Sequence, residues 1–144
     1  MAAYTHFNLG TVDRHEHQME SAEAHFMEAQ NLWGKGDQLR TDPFNAACMY
    51  RLGCVSLDQG KLEAAVKHLK DAMLITEMRK HNMVAEHART IFKLSEALEQ
   101  EPREVAEASR LRQEAERLLR LREPTAKEPG KEGTYDSMVN ILWR

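Results

Sequence analysis

Two stretches of this chain repeat the same sparse pattern of small and large side chains, and that repeat restricts the fold more than any other feature. Leu9-Gly10 is followed by Ala22, Phe26 and Ala29, at offsets of 13, 17 and 20 from the leucine. Leu52-Gly53 is followed by Ala65, Leu69 and Ala72 at the same three offsets, with Gly60 in between. A third, weaker copy begins at Leu94-Ser95. Its Ala108 and Ala115 are again seven apart but displaced by one residue, and Arg112 stands where a large apolar residue is expected. Self-similarity on this scale marks an array of stacked supersecondary units, each burying its apolar face against the next.

Between these anchors apolar residues recur at helical spacing, and Ala, Leu and Glu far outnumber the β-branched Val and Ile. The chain therefore reads as all-α. Helices are predicted over about 3–14 and 19–33, ended by the run Gly34-Lys35-Gly36-Asp37. Asp42-Pro43, a capping residue followed by a proline at the first helical position, opens a third helix that stops at Gly60. A fourth runs from Leu62 to about Lys80 with its apolar stripe on Leu62, Ala65, Val66, Leu69, Ala72, Met73 and Thr76. Asn82 is expected to cap a fifth, which Glu101-Pro102 ends, and a sixth carries Val105, Ala108, Leu111, Ala115, Leu118 and Leu119 on one side. Residues 123–133 read as a Pro- and Gly-containing loop, and Tyr135, Met138, Val139, Leu142 and Trp143 predict a last short helix over 134–144.

Leu-Gly on one helix, then Ala, a large apolar residue and Ala on the next, resembles the tetratricopeptide repeat (TPR). The small residue lets the two helices of a hairpin approach closely, and the large one fills the remaining gap. The resemblance implies a right-handed superhelical array of three such hairpins plus a C-terminal capping helix. It places the repeats at about 3–36, 43–80 and 82–122 within one domain covering 1–144. The leucines are 43 and 42 residues apart, against about 34 in the ordinary repeat. The sequence is thus similar to the long-repeat variety of kinesin-light-chain and MalT-like arrays, and to the C-terminal arrays of fungal signal-transducing nucleotide-switch proteins. No Gly-x-x-x-x-Gly-Lys-Ser/Thr motif is present.

The resemblance also implies the function: protein–protein interaction, as a scaffold or as the sensing and autoinhibitory array of a larger switch protein. In such arrays the first helix of each hairpin lines a concave groove. Register places Asn8, Tyr50, Arg51, Arg89 and Lys93 there as candidate partner-binding residues. Arg89 and Lys93 match the basic pair with which chaperone-binding relatives grip a carboxylate-bearing tail. Phe7 and Thr11 stand where the lysine and asparagine of that clamp belong, and Arg51 replaces its second asparagine. A chaperone-tail co-adaptor is thus a distant alternative, while a preference for an acidic segment remains.

Other chemistry finds little support. His15 and His17 flank Glu16, but residues two apart on a helix point in nearly opposite directions, so no metal site is expected. His6, His25, His68, His81 and His87 read as surface or hairpin-turn residues. With no nucleophile elbow, no catalysis and no cofactor are expected. A net charge of -3 argues against nucleic acid, leaving an RNA-binding helical repeat as the competing class. No stretch is apolar enough to suggest a membrane span. Cys48 and Cys54 lie six residues apart in one predicted helix, about 9 Å of rise and too far for a disulfide. With an N-terminus lacking the features of a secretory signal, they point to the cytoplasm. The first hairpin shows no preceding cap, so self-association through that edge is expected.

Overall fold

A computed structural model describes residues 2–35 and 42–139, and every regular element among them is helical. Seven α-helices follow in order: α1 (Ala2–His15), α2 (Met19–Gly34), α3 (Pro43–Asp58), α4 (Leu62–Met78), α5 (Val84–Leu98), α6 (Val105–Arg122) and α7 (Glu132–Asp136). A 3-10 turn over Pro102–Glu104 precedes α6. The chain divides within α4 into two compact units, Met1–Ile75 and Thr76–Arg144.

In the first unit α1 packs along α2, and α3 follows against α2. The repeat positions supply the contact. Ala22, Phe26, Ala29, Ala65, Leu69 and Ala72 are fully buried. A methyl group placed on Gly10 would lie 2.9 Å from the Phe26 ring, and one on Gly53 would lie 2.5 Å from Leu69 Cγ. The small residue is therefore a packing requirement: any side chain there pushes the two helices of the hairpin apart. Phe7 meets Phe26 edge-on at 5.5 Å between ring centres, and Phe44 sits 4.5 Å from the ring of Trp33 and 4.9 Å from that of Tyr4. The expected cap is in place: the Asp42 carboxylate accepts the Phe44 N–H at 2.9 Å, with Pro43 at the first helical position.

The second unit pairs α5 with α6 and lays α7 against α5. Asn82 does not cap α5. Its N–H donates to the Arg79 carbonyl in the preceding turn, and the flanking position falls to Met83, whose side chain is buried. Burying that thioether displaces the polar residue that local preference selects. Ala108, Leu111, Ala115 and Leu119 form the buried side of α6 as expected, whereas Val105, the first residue of the helix, is exposed. The last helix starts at Glu132, within the stretch expected to be loop, and its Tyr135 is buried, as is Val139 just beyond it. Gly36 and Asp37 of the expected break, and Leu142 and Trp143 of the last predicted helix, lie outside the described residues.

Candidate functional site

Arg89, Phe92 and Lys93 stand at i, i+3 and i+4 on α5, so they share one face. Glu132, Tyr135 and Asp136 have the same spacing on α7. The two triplets meet. The Arg89 guanidinium bonds the Asp136 carboxylate at 3.3 Å, while the Lys93 ammonium lies 2.6 Å from Glu132 and 2.7 Å from Glu96. Between these ion pairs Tyr135 stacks on Phe92, with ring centres 4.4 Å apart and planes inclined by 20°. The earlier residue of α5 pairs with the later residue of α7, so the two segments run in opposite senses.

Burial is what makes these partners necessary. Arg89 is 2% exposed and Lys93 6%, and a charge taken out of water needs an opposite charge within bonding distance. Tyr135 is fully buried, and desolvation pushes its phenol up to about 12. On the far side of the hairpin Arg112 of α6 brings its guanidinium carbon within 5.4 Å of the Phe92 ring centre and ties to Glu99 at 2.8 Å. This position, read from the sequence as a departure from the repeat, thus contacts the aromatic residue of the first helix, as Phe26 contacts Phe7 in the first copy.

The five residues selected from the sequence fall into different settings. Arg89 and Lys93 come together with the acids of α7. Tyr50 and Arg51 are both buried on α3, the Arg51 guanidinium carbon 5.4 Å from the Tyr50 ring centre. Asn8 is exposed on α1. Sequence reasoning missed Phe92, Glu132, Tyr135 and Asp136. A signal existed in the mirrored spacing, base-x-x-aromatic-base against acid-x-x-aromatic-acid.

The histidines pair locally. The Nδ1 atoms of His6 and His25 approach to 2.9 Å and His25 Nε2 lies 3.6 Å from Asp13, yet no group of three or more His, Cys, Asp or Glu suited to a metal occurs among the described residues. Cys48 and Cys54 are free and buried, and burial raises the Cys48 thiol far above its ordinary range, which keeps it protonated. No helix among the described residues is long and apolar enough to cross a membrane.

Close-packed helical hairpins with a recurring small-residue seam define a helical-repeat protein. The family model of the tetratricopeptide repeat matches residues 1–77, more than half of the chain, and the chain belongs to that family. No curated protein and no solved structure matches it. Repeats of this family are non-catalytic scaffolds that generally bind proteins or peptides.

Proposed function

We propose that this chain is a cytoplasmic interaction module of three hairpins. It binds a peptide segment or partner domain through the faces of its first helices, using Asn8, Tyr50, Arg51, Arg89 and Lys93, and it favours acidic segments. The observation that carries this reading is the Arg89–Lys93 pair, two cations one turn apart with carboxylates held against both. A carboxylate-bearing peptide reproduces that chemistry through charge-assisted hydrogen bonds. The long repeat suits a scaffold, or the sensor array of a larger switch protein in the manner of the kinesin-light-chain and MalT-like types. Exposed Leu9 and Val12 on α1 supply a surface for self-association.

An array of synthetic acidic, neutral and basic peptides, probed with the full chain, tests the reading. Acidic peptides are expected to be retained selectively. Replacing Lys93 by Gln should weaken that retention several-fold while the chain keeps its helical circular dichroism and melts cooperatively, at a lower temperature because Glu96 and Glu132 lose their shared cation. Retention indifferent to peptide charge, or retarded migration of single-stranded RNA at low salt, overturns it.

A further inference from the structure

We propose that the segment from Glu132 to Asp136 is a tethered internal ligand, which occupies the basic face of α5 at rest and yields to an external peptide bearing the same acid-x-x-aromatic-acid pattern. The proposal rests on the interaction reading above and names the partner class for one part of that surface.

Three observations carry it. The contact is complementary residue by residue: Glu132 on Lys93, Asp136 on Arg89 and Tyr135 on Phe92. Its sense is opposite to that expected of a further repeat. First helices of successive hairpins in an array run parallel, whereas these pairs join the end of one segment to the start of the other. The segment is also short and loosely led. α7 has five residues, and the stretch 123–131 before it holds Pro124, Pro129 and Gly130, with no regular helix. A five-residue helix is far too short to be stable alone in water, so its conformation depends on the surface beneath it.

The tether decides how weak the intrinsic contact can be. A short flexible linker gives an effective concentration on the order of 1 mM. A free peptide that binds the bare face with a Kd of about 0.1 mM is then held closed roughly tenfold over open when tethered. An external competitor must overcome that factor, so any change that frees the face should tighten external binding by about the same factor.

The test uses a fluorescein-labelled peptide of residues 130–139 and the full chain. In anisotropy titrations the double variant Glu132→Gln, Asp136→Asn should bind it at least tenfold more tightly than the unaltered chain, and adding Lys93→Gln should reverse the gain. Equal affinities, or no binding to either, overturn the proposal. A second form covers the case in which the double variant folds poorly: a protease site placed within 124–130 of the full chain. After cleavage the C-terminal piece should separate on dilution to low micromolar concentration, and the remainder should keep its helical circular dichroism and bind the labelled peptide. Loss of helicity as the piece departs marks a structural cap and overturns the proposal. Acid-selective retention on the peptide array without tightening here removes the internal ligand alone. Tightening here with an array indifferent to charge removes the external-partner reading alone.

Discussion

His17 and Gly60 occupy equivalent positions, eight residues beyond Leu9 and Leu52, and both adopt positive φ, 61° and 74°. Glycine reaches this region freely, whereas an L side chain is crowded there at a cost of about 1–2 kcal/mol. Both residues are solvent-exposed, so little packing offsets the difference. His17→Gly should therefore stabilise the protein by roughly 0.5–1 kcal/mol, and Gly60→His should destabilise it by about 1 kcal/mol. Urea denaturation of the two variants checks both signs. The third copy has Pro102 at the same offset, and proline cannot take positive φ. The turn is rebuilt there as the 3-10 segment Pro102–Glu104. That rebuilding accounts for the one-residue displacement of Ala108 and Ala115, which the sequence displays without explaining.

Between elements, the end of α4 and the start of α5 are joined through one imidazole. The Glu77 carboxylate, which can only accept, lies 3.0 Å from His87 Nε2, so Nε2 carries the proton and Nδ1 accepts from the Thr76 hydroxyl at 2.8 Å. Burial lowers the His87 pKa below its ordinary value of 6.5, against the opposing pull of Glu77. Between that lowered value and 6.5 the unfolded chain binds more protons than the folded one, so stability rises with pH and is lost as pH falls through the window. His68, half-buried on α4, is shifted the same way and adds to the trend. The melting temperature should fall between about pH 7.5 and about pH 5.5, and His87→Gln should flatten part of that slope. A variant that keeps the full slope would assign the dependence elsewhere. This contact was not legible beforehand. Helical periodicity placed Thr76 on the apolar stripe of α4, but nothing in spacing says that a buried hydroxyl there meets a histidine eleven residues on.

Across the whole chain, what the sequence made legible was whatever packing forces to recur. Gly10, Gly53 and the paired alanines were readable because close helix approach leaves no alternative at those positions, and all are buried where the register put them. The pairing of Arg89 with Asp136 spans 47 residues and repeats nowhere, so periodicity carried no trace of it. The candidate site was thus half visible: register gave its cations, and the acid-x-x-aromatic-acid spacing of its carboxylates was on view, but only the fold joins the two. The same register yields one further expectation. Leu52 and Val55 of α3 are 3% and 0% exposed, but their counterparts on α1, Leu9 and Val12, are 42% and 51% exposed. Positions that the repeat reserves for burial are there open to water, one turn apart on one face, and two large aliphatic side chains gain about 1.5–3 kcal/mol each on full burial. Both are already about half-covered, so a second copy that seals this face would recover about half of that gain, less the cost of association. Light scattering coupled to size-exclusion chromatography should show the apparent mass rising with loading concentration, and Leu9→Lys with Val12→Lys should hold it at the monomer value without lowering the melting temperature. Concentration-independent monomer in the unaltered chain would show that these two residues lack the area to bring copies together.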